Sequence, residues 1–169
     1  EKDNKYFVDQ LSINNANVQT KQLPIGDFLW ALKLITICGL EFTFVLDFIV
    51  ERKTIDDLIA SIYDGRYKDQ KQRLKHTKLK NIFYIIEGDL TQCIIPSVRT
   101  AINNTRIKDN FKVIKTNDFR STKMFLMKLY TKVEKAVDEM LSSSVVYFDK
   151  SIQEFMKEQS KNYNITPKD

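Results

Sequence analysis

The stretch from Phe44 to Val50 is rich in β-branched and aromatic residues, and it runs without a turn into Glu51-Arg52-Lys53, with Asp56-Asp57 close behind. That composition reads as a buried strand. A strand buried for packing alone does not end in a cluster of five charges, because Glu, Asp, Lys and Arg are almost never buried unless they are paired. The end of this strand is therefore a candidate site, and the rest of the chain has to fold around it.

Strand geometry decides which charges can cooperate. Side chains two apart share a face at roughly 7 Å, so Glu51 and Lys53 point one way and Arg52 the other. A carboxylate with a lysine in Glu-x-Lys spacing suits metal-dependent phosphodiester hydrolysis: an oxygen ligand for a hard divalent cation, and an ammonium to orient water or neutralise phosphate charge. Taken alone, Glu-x-Lys is also an ordinary solvated surface pair. A second carboxylate comes from Gly26-Asp27, where glycine lets the backbone turn tightly before the strand that begins at Phe28. Asp47 lies on the Glu51 face but roughly 13 Å away, and is assigned a structural role.

The basic balance points the same way. The net charge of +5 and pI near 9.1 favour a polyanionic partner, though weakly. With 169 residues and 43% hydrophobic content there is material for one ordinary domain. Cys38 and Cys93 lack metal-ligand spacing and are read as reduced core or edge residues of an intracellular protein. No 18-residue apolar run and no signal peptide is seen, so a membrane is not expected. The single histidine, His76, is expected at the surface, and Trp30 in the core.

In chain order, an apolar stripe of Tyr6, Phe7, Leu11 and Ile13 suggests a helix over 5–13. Short strands are expected over 18–23, 28–37 and 42–53 as an antiparallel meander, which puts Asp27 and Glu51 on adjacent strands. Helices are expected over 56–63 and 66–78. The second has a polar face of Arg66, Gln70, Arg73 and Thr77, and from Arg66 to Lys80 there are seven Lys or Arg against Asp69 alone. A solvated amphipathic helix is one reading, and a flank for a phosphate backbone is the other. Asn81–Glu87 reads as a buried strand, 95–103 as a helix with Pro96 in its first turn, Phe111–Lys115 as a strand, and 118–140 as the longest helix, with Leu126, Leu129, Val133, Val137 and Met140 on its apolar face. This alternation argues for α/β. Beyond Leu141, Ser142-Ser143-Ser144 suggests a linker, 145–148 a short extended piece, and 150–169 a tail that is loosely ordered or packed opportunistically.

Gly26-Asp27, a spacer, Glu51-Arg52-Lys53, three residues and Asp57 together resemble the Gly-Asp-Xn-Glu-Arg-Lys-X3-Asp signature of the XPF family of structure-specific nucleases. The flanks extend the likeness through Val45–Leu58, Ser61-Ile62, Asp64-Gly65-Arg66-Tyr67, Gln70-Lys71, Arg73-Leu74-Lys75, Ala101–Thr105, Ile107, Phe111-Lys112-Val113 and Thr116–Asp118. It covers about residues 20 to 140 and is greatest toward the catalytic, crossover-junction-cutting branch of the family.

The resemblance implies a restriction-endonuclease-like nuclease domain over residues 1–141, with a central mixed sheet flanked by helices. Residues 142–169 would then be a linker toward a helix-hairpin-helix domain. The family pattern also has an aspartate on a strand ahead of the first helix, which this sequence does not include. The activity implied is that of a Mg²⁺-dependent endodeoxyribonuclease, with Mn²⁺ as substitute, acting in the nucleus in DNA repair and recombination. Its substrates would be 3′ flaps, replication forks and nicked Holliday junctions, and it would pair with a non-catalytic partner subunit of the same family. Asp27, Glu51 and Asp57 are the expected metal ligands, with Lys53, Arg52 and Asp56 completing the catalytic set. Lys53 would position water or stabilise charge, Arg52 would tie Asp56 or Asp57 and the following helix into position, and Asp56 could instead cap that helix. Arg66 and Arg73, with Gln70 between them, would meet DNA phosphates. Two other classes remain: a non-catalytic DNA-binding subunit of the same family, and an interaction domain whose charges form a salt-bridge network. Intact Asp27, Glu51, Lys53 and Asp57 disfavour the former, because clustered carboxylates are costly to keep, and the length of the motif disfavours the latter.

Overall fold

The computed structural model describes residues 8–9, 11–12, 16–89, 91, 95–143, 148 and 150–161. They divide into two compact units, residues 1–22 with 116–147 and residues 23–115 with 148–169.

The larger unit is built on a four-stranded sheet in the order β1-β2-β3-β4, with β1 Phe28–Ile35, β2 Glu41–Thr54, β3 Asn81–Glu87 and β4 Lys112–Thr116, the last residue of β4 falling in the smaller unit. β1 and β2 pair antiparallel and β2 and β3 parallel, so the sheet is mixed, as expected. The antiparallel meander is limited to β1 and β2: residues 18–23 form no strand, their Gln, Thr and Lys offering no apolar alternation. β3 sits between two strands and is buried from Ile82 onward, which is why its sequence is a continuous apolar run rather than an alternating one. The β1–β2 register slips between Leu29 and Ala31, beside the half-buried Trp30 and close to the candidate site.

Helix α1, Ile55–Tyr63, follows β2 directly. The Thr54 hydroxyl oxygen accepts from the Asp57 amide at 3.2 Å and donates to Asp57 Oδ2 at 2.9 Å, a reciprocal cap. Asp64 and the left-handed Gly65 (φ 82°) then turn the chain into α2, Arg66–His76. Helix α3, Pro96–Ile107, starts on its proline and runs one turn beyond the expected end. The core gathers Ile49, Leu58, Tyr67, Leu74, Tyr84, Ile86, Val98, Ile102, Phe111 and Phe155.

Of the two forms expected for the tail, loosely ordered or packed opportunistically, residues 150–161 take the packed one. Ile152–Lys161 forms helix α5, its Phe155 is 1% exposed, and Ser151 bridges Phe44 while the Val45 amide donates to the Lys150 carbonyl at 3.1 Å. Phe148 stacks on Phe44 with ring centroids 4.6 Å apart. The apolar residues of this segment are few, but Ile152, Phe155 and Met156 recur at helical spacing and bury one face.

The smaller unit contains α4, Phe119–Leu141, the longest helix, capped by Asp118, whose carboxylate accepts from the Ser121 amide at 2.7 Å. Thr122, Leu126, Leu129 and Val133 are buried, while Val137 and Met140 are half-buried. Leu11 and Ala16 are buried, and the Asn17 amide donates to the Tyr130 hydroxyl at 3.4 Å. Tyr6, Phe7, Ile13, Cys93 and the expected extended piece up to Tyr147 lie outside the described residues. Among the described residues, no helix is long and apolar enough to cross a membrane.

Candidate active site

Two strands deliver the two carboxylates. The Phe28↔Val50 register places Asp27 beside Glu51, and the Asp27 amide donates to the Val50 carbonyl at 2.8 Å. Gly26 makes this approach possible. It adopts φ 75°, and a Cβ there would lie 2.7 Å from Ile49 Cγ1 and 3.3 Å from the Val50 carbonyl oxygen. The Asp27 side chain is then fixed across the strands, Oδ2 accepting from the Arg52 amide at 2.7 Å.

Glu51 is 4% exposed, and Gln70 on α2 donates to its Oε1. Burial, then repulsion from Asp27, pushes the Glu51 carboxyl from its ordinary 4.5 up to about 8, against the pull of Lys53, Gln70 and Arg73. Asp27 has surface open to solvent, yet the protein around it is dense enough that desolvation holds its carboxyl above the usual range as well, despite Arg52 and Lys53. Two desolvated carboxylates that repel each other favour a shared cation over two negative charges.

The neighbouring polar atoms fit the same account. Tyr84 is paired in register with Glu51 on the parallel strand and is 0% exposed. Its hydroxyl and Gln70 Oε1 are buried with no hydrogen-bond partner among the described residues. Buried orphans of this kind call for an explanation, and a hydrated cation at the carboxylates would supply their missing partners. Burial, and next the charge of Glu51, pushes the Tyr84 hydroxyl far above its ordinary value, so it remains a donor. An all-oxygen donor set suits Mg²⁺ or Mn²⁺.

The structure distributes the other expected site residues differently. Lys53 lies close enough for its charge to act on both Asp27 and Glu51, as the shared strand face requires. Arg52, expected to tie Asp56 or Asp57 and the following helix into position, bonds strongly elsewhere. It forms a two-pronged pair with Glu87 at the end of β3, Nε to Oε2 at 2.9 Å and Nη2 to Oε1 at 2.6 Å, because β3 runs parallel to β2 and brings Glu87 into register with Thr54 on the Arg52 face. Asp57, expected as a third ligand, is exposed and serves the Thr54 cap, and Asp56 is exposed in the first turn of α1. Among the described residues, no group of three or more His, Cys, Asp or Glu comes together to hold a metal.

On α2, Gln70 and Arg73 turn inward. Gln70 orients Glu51, and Arg73 Nη2 donates to the Pro24 carbonyl at 2.6 Å, holding the turn that leads to Asp27. Arg66 remains outward, 71% exposed at its side chain and paired with Asp64 at 2.6 Å. His76 is exposed, as expected, and Asp47 pairs with Lys80 at 3.0 Å. Sequence reasoning missed Tyr84 and Glu87. Their signals were a hydroxyl inside the apolar run Ile82–Ile86 and a carboxylate closing that run as Glu51 closes the other.

The comparisons with known proteins agree with this geometry. The ERCC4 domain matches residues 1–129. A relative from Arabidopsis thaliana, crossover junction endonuclease MUS81, is 39% identical over 109 residues, 64% of this chain and 16% of its own length. Structure-specific endonuclease subunit MUS81 of Danio rerio is 34% identical over 134 residues, 71% of this chain and 22% of its own. The chain thus spans roughly a sixth to a quarter of these relatives. Among solved structures, an XPF from Aeropyrum pernix in complex with DNA superposes with a TM-score of 0.58 at 23% identity, covering 85% of this chain and 65% of that one, which establishes the nuclease-type fold. With three quarters of its length matched, its sheet order and its Gly-Asp and Glu-Arg-Lys strand ends in place, the chain belongs to the ERCC4-domain, XPF-type family.

Proposed function

We propose that this chain is the nuclease domain of a metal-dependent, structure-specific DNA endonuclease that cuts branched DNA, with 3′ flaps, forks and nicked Holliday junctions as its substrates. The observation that carries the reading is the desolvated Asp27–Glu51 pair with Lys53 beside it. The relatives named as crossover junction endonucleases and the DNA-bound structural neighbour support it. A non-catalytic partner subunit belongs to the same reading, supported by the word subunit in the name of the Danio rerio relative, as does a nuclear location.

Asp27 and Glu51 are the residues that would hold Mg²⁺ or Mn²⁺. When bound, such a cation supplies Lewis-acid polarisation of phosphate oxygens and acidifies water. The remaining work falls to the chain. Gly26, the Val50 carbonyl and the Arg52 amide fix Asp27; Gln70 fixes Glu51; Arg73 secures the turn at Pro24. Lys53 presents an ammonium to the negative charge that grows on the phosphate as the bond breaks. The Tyr84 hydroxyl, a buried donor on the neighbouring strand without a partner among the described residues, would donate to water held at this site. Arg52 and Glu87 clamp β2 to β3 on the opposite face, so that the ends of both strands hold still.

The test is a cleavage assay on labelled 3′-flap and fork DNA with the wild-type chain and with Asp27→Ala and Glu51→Ala, alongside calorimetric Mn²⁺ binding. Loss of cutting together with loss of Mn²⁺ binding supports the assignment; near wild-type cutting in either variant overturns it.

A further inference from the structure

Helix α2 has a second working face. At 100° per residue, Gln70 and Arg73 look toward the carboxylates, while Lys68, Lys71 and Lys75 lie on the opposite side. There they line a cavity of about 260 Å³ with Lys108 and Asp109 at the end of α3. We propose that this cavity is a second phosphate-binding site, one that grips the sugar-phosphate backbone of a DNA strand other than the one at the carboxylates; this rests on the nuclease reading above.

The site is framed rather than incidental. Asp109 binds two ammonium groups at once, Lys71 Nζ at 2.6 Å and Lys75 Nζ at 2.5 Å, and the Lys71 and Asp109 side chains are only 12% and 13% exposed. Lys71 is further held over the Tyr67 ring, 4.5 Å from its centroid. Asp109 itself is fixed by the helix end: the Asn104 carbonyl accepts from the Lys108 amide at 2.8 Å and from the Asp109 amide at 3.1 Å, and Asn110 turns the chain with φ 57°. Two lysines are thereby ordered before any ligand arrives. Four lysines face one carboxylate in this cavity, a surplus of three positive charges.

The chemistry selects the ligand. Lysines are point charges suited to phosphate oxygens, and the lining offers no arginine fork for a planar carboxylate. Nor does it offer an exposed aromatic platform on which a base could stack, so the backbone is what the site can read. A liquid water occupies roughly 30 Å³, which leaves room for a phosphodiester with ordered water. Because α2 is about 10 Å thick, a strand seated here lies on the far side of the helix from the strand at Glu51. That separation is what a branched substrate supplies, and the cavity would give the nuclease domain a hold on a second arm.

The experiment is fluorescence anisotropy of the 169-residue chain with labelled fork DNA and with a linear duplex, in EDTA, over a series of KCl concentrations. The variants are Lys68→Ala/Lys108→Ala and, separately, Lys71→Ala, with far-UV circular dichroism as the folding check. Both Lys68 and Lys108 are exposed, so the double variant is expected to fold normally. Fork affinity is expected to fall about tenfold in the double variant, and the slope of log K against log salt to become shallower by nearly two, since each lost phosphate contact removes about 0.9. Linear duplex binding should fall less than fork binding. Unchanged affinity and slope on the fork, while wild type binds DNA, would overturn the second site and leave the nuclease reading standing; absence of DNA binding by wild type would overturn both. Shifts of the Lys108 and Asp109 amides with inorganic phosphate, but not with the fork, would make this a small-anion site and overturn the nucleic-acid assignment.

Discussion

Glu51 and Asp109 stand on opposite sides of one helix and experience opposite electrostatics. Glu51 is buried beside another carboxylate, and its proton is held far above the usual range. Asp109 is also penalised by burial, but hydrogen bonds from Lys71 and Lys75 outweigh that penalty and hold it below the ordinary carboxylate value. The same residue class is thus set to want a cation in one place and to organise a surplus of cations in the other. In the two proposals above, α2 stands between a cation site at Glu51 and an anion site at Asp109.

The comparison breaks most visibly if Asp27 or Glu51 is replaced by alanine. Each removes an oxygen from the proposed cation site, and a few kcal/mol of lost transition-state stabilisation corresponds to about a thousandfold loss of cleavage. DNA binding should stay equal or tighten as carboxylate–phosphate repulsion is relieved. Cleavage rate and binding measured on the same fork check this.

Arg52→Ala is the control that separates stability from electrostatic tuning. It removes the two-pronged bond to the part-buried Glu87, and breaking a buried pair from one side costs about 3 kcal/mol. Urea unfolding should show that loss, and Glu87→Gln in the Arg52→Ala background should recover part of it.

The two carboxylates also predict opposite pH slopes in protein freed of divalent cations. For Glu51 the folded value is raised, so between about 4.5 and 8 the folded protein keeps a proton that the unfolded chain releases, and stability falls as pH rises through that window. For Asp109 the folded value is depressed, so its contribution is present above about 3.8 and is lost as pH falls through the folded value. Melting temperatures in EDTA should therefore decline toward pH 8, with Glu51→Gln flattening that decline, and Asp109→Asn should flatten the acid limb alone. Added Mg²⁺ should raise the wild-type curve most at the alkaline end.

The smallest effect is expected at the helix cap. Asp57→Ala removes the acceptor for the Thr54 hydroxyl and should cost about 1 kcal/mol of stability. If its cleavage falls as steeply as that of Asp27→Ala while stability holds, Asp57 is a ligand after all and the two-carboxylate site is incomplete.

Much of this was legible because the relevant physics is local. A strand that ends in charge, a glycine before an aspartate, and a continuous apolar run in β3 each leave a mark within a few residues. What stayed hidden depended on topology. Arg52 meets Glu87 only because two strands 35 positions apart run parallel in register. Gln70 and Arg73 share a face with Arg66 on paper, yet packing turns the first two inward and leaves the third in water, and no single helical period separates them. The Thr54–Asp57 cap is visible in the spacing alone, since a threonine three residues ahead of an aspartate is a helix-start pattern. Residues 18–23 carry only two apolar residues, Val18 and Leu23, with four polar ones between, too little alternation to hold a strand.

One strand carries more than a ladder of hydrogen bonds. β2 is fastened at Phe44 and Val45 to the segment that opens helix α5, and seven residues further along it holds Glu51. At about 3.3 Å per residue that is roughly 23 Å of pleated, hydrogen-bonded backbone, a stiff beam with a handle at one end and the carboxylate at the other. The segment that opens helix α5 and the position of Glu51 are thus held on one continuous strand.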